Sequence, residues 1–244
     1  MYVYNNDIEF LEERRECSYF DNEISDIRYR YMHSCSTPEY QAMLERGWRR
    51  FGRMHFVPEC RDCNKCITMR IDVKNYKFSK SERRVINKNK DTKLYIRPPS
   101  MTKEHLDLYN KYHEFMNRKK DWPFSPITPS DYARSYVEGK AEYSKEFLYM
   151  RDDELIGVAL VDILPKSISA IYCYYDHDYS ELSLGKFSIL AQIKIAKELN
   201  IPYIYLGYWI KDHYSMGYKE AYKPFEILKN RPSLEEETIW EKYE

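Results

Sequence analysis

The chain has 244 residues, 43% hydrophobic and 32% charged, with a formal net charge of zero. That length supports one or two domains with a sizeable core, and the neutral balance gives no global steering toward nucleic acid, so such a ligand would need a local basic patch. No apolar run approaches the ~20 residues of a membrane span, and the N-terminus lacks a basic-then-apolar secretory pattern. A cytoplasmic protein with no membrane partner is therefore expected. Its six cysteines, Cys17, Cys35, Cys60, Cys63, Cys66 and Cys173, are then expected as thiols or ligands rather than disulfides.

In chain order, residues 1–22 are polar and charged, and Ile27 to Met32 alternates Arg with Tyr as a strand would. Thr37-Pro38-Glu39 starts a helix that ends at Gly47. Trp48 to Val57 reads as a strand or hairpin with Arg49, Arg50, Arg53 and His55 interleaved with Phe51 and Phe56. After the Cys60-Cys63-Cys66 loop comes a strand from Ile67 to Val73. Phe78-Ser79-Lys80-Ser81-Glu82-Arg83-Arg84 then begins a basic helix running to about Lys90. From Arg70 to Arg97 there are ten basic residues against three acidic ones, enough for a phosphate-contacting face. A short strand at Leu94–Ile96 and a helix capped by Thr102 follow. Thr128-Pro129-Ser130-Asp131 reads as a second helix start, with Gly139 as its stop. Phe147–Met150 and Leu155–Ile163 pair as a hairpin. Ser233 to Glu236 reads as a further capping box before Ile239 and Trp240. Two lobes are expected, 1–100 and 101–244.

The most regular part runs from Ile168 to Lys219. An apolar run ends on Asp176, Ser183-Leu184-Gly185-Lys186 opens a helical pattern to Leu199, and a second apolar run covers Tyr203 to Ile210. Strand, helix and neighbouring strand make a crossover in a parallel pair. Two readings of Gly185 stand: it lets an anion reach the helix N–H groups, or it eases a turn. The Cys60/Cys63/Cys66 triple likewise reads either as metal or iron–sulfur ligands, with Cys17 as the fourth and Cys35 in reserve, or as small residues in a tight loop. Cys173 lies in a strand and reads as core.

Several segments together resemble the aminoacyl-tRNA–protein transferase family, the arginyl and leucyl transferases that tag protein N-termini for degradation. They are Cys17; Gly47-Trp48-Arg49-Arg50-Phe51-Gly52; the Cys loop with Arg70; Phe78 to Arg84; Tyr174-Tyr175-Asp176; Ser183 to Lys186; Tyr205-Leu206-Gly207-Tyr208-Trp209-Ile210; and Met216-Gly217-Tyr218-Lys219 with Pro224. His177 and Glu82 depart from the family pattern, which usually has Pro and Gln there. The resemblance implies an α+β fold, an acetyltransferase-like mixed sheet with flanking helices, beside an N-terminal Cys-containing lobe. The compact length is similar to the bacterial leucyl branch. That implies transfer of Leu from Leu-tRNA to an N-terminal Asp or Glu, with substrate binding by Gly185, Lys186, Gly207 and Lys219. Transfer itself needs no cofactor, while an iron–sulfur cluster or zinc is expected at Cys17, Cys60, Cys63 and Cys66.

The donor ester is already activated, and the acceptor α-amine has an unperturbed pKa of about 7.7–8.0. Alignment and oxyanion stabilisation are therefore the main tasks. Asp176 is the candidate to hold the amine or take its proton, or else it caps a turn. Tyr205 and Tyr208 are candidates to donate to the oxyanion or stack on adenosine, or else they pack the core. Strand alternation turns them to opposite faces. Arg70, Arg83 and Arg84 are the candidates to pair with an acidic acceptor side chain, and the Lys74–Lys93 segment is expected to meet the tRNA acceptor stem. Arginyl transfer, an acetyl-CoA-dependent N-acetyltransferase and a non-catalytic RNA-binding module are the competing readings.

Overall fold

The structure, a computed structural model, describes residues 7–243. A four-stranded antiparallel sheet comes first in the chain. It contains β1 (Ile8–Glu16), β2 (Ile24–Tyr31), β3 (Arg49–Phe51) and β4 (Met54–Pro58), in the order β1-β2-β4-β3. Helix α1 (Thr37–Glu45) lies between β2 and β3. Its cap is Ser36 rather than Thr37: the Ser36 hydroxyl accepts the Glu39 N–H at 3.4 Å, with Pro38 in the first turn. Tyr40, Met43 and Leu44, spaced i, i+3 and i+4, are fully buried. Burial of each such side chain stabilises by about 1.5–3 kcal/mol.

The second sheet has eight strands, and every pair except one is antiparallel. It takes β5 (Ile67–Asp72), β6 (Lys93–Arg97), β7 (Ser144–Arg151), β8 (Glu154–Leu164), β9 (Ser167–Tyr175), β10 (Tyr203–Trp209), β11 (Phe225–Leu228) and β12 (Trp240–Tyr243), in the order β12-β11-β5-β10-β9-β8-β7-β6. The exception is the parallel pair β9 and β10, joined by α5 (Leu184–Glu198) as the crossover pattern predicts. Helices α2 (Lys80–Lys88) and α5 cover one face, packing Val85, Ile86, Leu190 and Ile193 over Ile71, Ile204 and Leu206. Elsewhere α1 and Trp48 pack on Tyr205 and Leu164. Helix α3 (Lys103–Lys120) and the turn built from α4 (Pro129–Tyr132) and a π-helical segment at Ala133–Val137 pack on Val158 and Tyr174.

Two expectations change. A lobe boundary at residue 100 is not where the sheets divide. β5, α2 and β6, all before residue 100, belong to the large sheet, so the division falls in the Cys loop after Pro58. The cause is long-range pairing: β5 runs between β10 and β11, strands more than a hundred residues away. The capping pattern at Ser233–Glu236 does form, with Ser233 N–H donating to Glu236 Oε2 at 2.7 Å. No helix follows it, because Trp240 to Tyr243 is drawn into β12 alongside β11.

His55 sits in the seam between the sheets, 2% exposed. Burial and the nearby Arg50 charge hold its pKa down at about 3. Its folded pKa lies below the unfolded value of about 6.5, so the unfolded chain takes up the proton first. The stability it contributes is complete above pH 6.5 and drains away as pH falls toward 3, at about 1.4 kcal/mol per pH unit. Denaturant midpoints measured against pH should show that slope, and the His55→Asn variant should flatten it.

Candidate active site

β9 and β10 are paired only at their first residues: Tyr203 with Ser167, Ile204 with Ile168, and Tyr205 with Ser169. Past Tyr205 the two strands part. Their facing edges are unladdered there, and a gap opens at their C-terminal ends.

The same point in β10 carries a bulge. Tyr205 lies opposite Arg70 of β5, yet Tyr208 lies opposite Thr68, so three residues of β10 span two of β5. Gly207 takes up the extra residue at φ +77°, a left-handed conformation that favours glycine. The bulge overturns the expected alternation. Tyr205 and Tyr208 face the same side, and the guanidinium of Arg49 lies over both rings, 5.1 and 5.6 Å from their centres. Neither phenol is free. Tyr208 donates to the Gly47 carbonyl at 2.9 Å, and Tyr205 is fully buried with its hydroxyl 3.5 Å from Arg70 Nη1. Both therefore form the floor of the seam rather than a set of hydroxyl donors.

Arg49 is 5% exposed and has no carboxylate partner among the described residues. Its Nη1 donates to the Trp48 carbonyl at 2.6 Å, while Nε and Nη2 are buried without partners. Burial lowers its pKa, which the three tyrosines around it partly offset. Lys219, in the 3₁₀ turn at Gly217–Ala221, is also 5% exposed. Its ammonium donates to the Tyr208 carbonyl and approaches Met216 Sδ at 3.7 Å. Burial, reinforced by the Arg49 charge, holds its pKa down at about 7. A Cβ placed on Gly207 would meet only this ammonium within 4 Å, at 3.8 Å.

Tyr208 is also part of the wall of a cleft of about 1360 Å³. The Cys loop, Trp48, Lys211 and the stretch from Ile227 to Glu236 line the rest. Arg231 straps the cleft by donating to the carbonyls of Cys60 and Cys63 at 3.2 and 2.8 Å. Arg46 reaches across to the carbonyls of Ser233 and Glu236. The cysteines converge on this wall. Burial, with the neighbouring Cys60, Cys17 and Cys63, pushes the Cys66 thiol up to about 12. Four thiols are a donor set that suits zinc or an iron–sulfur cluster. Among the described residues, however, no three or more His, Cys, Asp or Glu side chains are gathered as a closed metal-holding group.

The remaining expected site residues lie elsewhere. Asp176 is 4% exposed and caps the turn after β9, accepting from the Asp178 N–H at 2.9 Å and from Lys111 Nζ at 2.7 Å. Gly185 opens α5, but the Tyr175 ring fills the space over it, 3.0 Å from a would-be Cβ. Lys186, on the same turn, faces Glu82 of α2. Asp176, Gly185 and Tyr205 thus have separate settings: a turn cap, a helix start beneath Tyr175, and the buried floor under Arg49. Arg70 is closed by Glu226, at 2.6 Å, and sandwiched between Tyr203 and Trp240. Arg83 and Arg84 are exposed on α2, which packs against α5 across the sheet from Tyr205 and Tyr208. Arg49 lies in the Gly47–Gly52 motif, where the sequence gives it no role of its own. A doubled arginine at the head of a strand otherwise built of aromatics was the available signal.

Comparison with known proteins gives consistent matches. Residues 15–84 match the family model described as "Arginine-tRNA-protein transferase, N terminus", and residues 104–229 match the one described as "Arginine-tRNA-protein transferase, C terminus". A protein of Helicobacter hepaticus named aspartate/glutamate leucyltransferase is 45% identical over 236 residues, 97% of this chain and 98% of that one. A Campylobacter jejuni protein of the same name is 46% identical over 237 residues, covering 97% and 99%. Among solved structures, the crystal structure of FemX aligns over 88% of this chain and 84% of that one, with a TM-score of 0.52 and 8% identity, a likeness of fold.

Proposed function

Because this chain belongs to the arginine-tRNA-protein transferase family, we infer that it transfers leucine from leucyl-tRNA to proteins that begin with Asp or Glu. It is an aminoacyltransferase of the leucyl branch. The observation that carries this is the match, at 45% identity and over nearly the full length of both chains, to an aspartate/glutamate leucyltransferase.

The acetyltransferase-like reading of the large sheet is supported by the parallel β9–α5–β10 crossover with strands that part. The Tyr175 ring over Gly185 takes up the helix mouth where an acyl-CoA phosphate would sit, which favours an ester donor held elsewhere. The cleft beside Tyr208 has the size for the 3′ end of a tRNA, and the exposed arginines of α2 offer a surface for its backbone.

In the reaction the acceptor amine attacks the ester carbonyl. A carbon–nitrogen bond forms, the bond to the ribose oxygen breaks, and the amine's proton leaves with that oxygen. An α-amine of pKa about 7.7–8.0 needs little base assistance. Holding amine and ester together supplies roughly 7–11 kcal/mol, and no covalent enzyme intermediate is needed. Asp176 shapes the turn beside the gap through its cap, and Tyr205 with Tyr208 supplies the rigid floor. Cys17, Cys60, Cys63 and Cys66 are the thiols that would hold a zinc ion or iron–sulfur cluster, and they would have to draw together to close such a site.

Purified protein should move Leu, and not Arg, from charged tRNA onto peptides beginning with Asp or Glu, leaving those beginning with Arg or Lys untouched. Transfer of Arg instead would replace the donor assignment. No transfer to any peptide would remove the function. Metal analysis of the same protein, purified without oxygen, should find zinc or iron. Full activity in metal-free protein would sink the metal site.

There is no helix among the described residues long and apolar enough to cross a membrane.

A further inference from the structure

Among the described residues, two buried cations without a carboxylate partner lie beside Tyr208 of β10, Arg49 over its ring and Lys219 on its carbonyl. Arg49 comes from the small sheet and Lys219 from the turn after β10. Each is 5% exposed. Every other strongly buried cation or anion nearby is matched: Arg50 pairs with Asp162, and Arg70 pairs with Glu226. Arg49 has only backbone carbonyls and two tyrosine faces, and its Nε and Nη2 have nothing. Lys219 has one carbonyl and a thioether. Taking an ion out of water costs several kcal/mol, and cation–π contacts of about 0.5–2 kcal/mol return only part of that for Arg49. The two charges also repel, since Arg49 helps to depress Lys219. Such a pair is sustained when an anion completes it. Gly207 marks the place: apart from its chain neighbours Leu206 and Tyr208, a Cβ there would meet only the Lys219 ammonium within 4 Å, at 3.8 Å.

We propose that Arg49 and Lys219 together form the pocket that recognises the side-chain carboxylate of the acceptor's first residue. This rests on the transferase reading and deepens it: it names the groups that make the acceptor acidic. A carboxylate fits because the guanidinium has two adjacent N–H groups without partners, Nε and Nη2, the fork that pairs with two carboxylate oxygens. A desolvated pocket of this kind also rejects the uncharged amide, which would leave both cations unmatched. A tRNA phosphate is the less suitable occupant, since the exposed lysines and arginines of α2 suit a solvated polyanion better than a desolvated pocket does. The arrangement also explains why Gly207 is glycine: a side chain there would stand between the acceptor and Lys219.

The test compares peptides that differ only in their first residue, Asp against Asn and Glu against Gln, with leucyl-tRNA as donor. For Lys219→Met and Arg49→Gln, kcat/KM for the Asp peptide should fall roughly 30-fold or more. The rate with the Asn peptide should change little, so the Asp-to-Asn preference collapses. Lys219→Arg and Arg49→Lys, which keep the charge, should restore part of that preference. A preference unchanged in variants that still unfold cooperatively overturns the proposal. So does a pattern in which KM for leucyl-tRNA rises while the preference stays, which would assign the pocket to a phosphate. If the variants fail to fold, the unaltered protein decides: NMR of a peptide carrying a 13C-labelled Asp carboxylate should show its pKa lowered by at least one unit on binding. An unshifted bound carboxylate overturns the proposal. A peptide that binds with the lowered pKa but receives no leucine would leave the pocket standing and remove the transferase reading instead.

Discussion

Asp162→Asn should lower the unfolding free energy by about 3–5 kcal/mol, the cost of stranding a buried charge. Arg50 reaches from β3 into the large sheet, 5% exposed against a fully buried Asp162. Its Nε donates to Asp162 Oδ2 at 2.9 Å, its Nη2 to Ser144 Oγ at 2.8 Å and its Nη1 to the Gly52 carbonyl at 2.8 Å. Asparagine keeps the shape of the carboxylate and removes its charge, so the guanidinium is left buried and unmatched. Arg50→Met should cost a similar amount by stranding Asp162. The double variant Arg50→Met/Asp162→Asn should lose much less than the sum, because neither substitution then leaves a buried charge unmatched. Urea denaturation of the four proteins measures all three differences. Additive losses would mean that the two groups do not act as a pair.

Gly52→Ala should cost about 2–4 kcal/mol. Gly52 turns the β3–β4 hairpin at φ +54°, and a Cβ built there overlaps the Arg134 carbonyl oxygen of the π-helical segment. The left-handed backbone penalises alanine by itself, and the overlap forces hairpin and π-helical segment apart. Gly217→Ala is the control, since its Cβ would meet nothing closer than 3.7 Å, and it should change stability by less than about 1 kcal/mol. If thermal and denaturant melts found the two variants alike, the tight docking of the hairpin tip on that turn would be refuted.

Both predictions concern contacts that sequence reading could not place. The strands and helices themselves were largely legible: the basic helix starts within the Phe78–Arg84 stretch, the Thr102 and Thr128 caps form, and the crossover is parallel. These signals are local, carried by residues within a turn of one another. The errors share a cause. β12 replaces a helix after Ser233 because β11 offers an edge to pair with. Arg70 is spent on Glu226, 156 residues away.

What this sequence determined unaided was its elements, the parallel crossover and the family, since short-range spacing and ordered motifs carry all three. What only the tertiary structure decided was which side chains meet. The clearest case is β10. A strand read alone alternates faces, so Tyr205 and Tyr208 ought to diverge. A bulge is a property of two strands together, set by how β10 registers against β5. That one extra residue at Leu206-Gly207 turns both rings under Arg49 and opens the space that Lys219 faces.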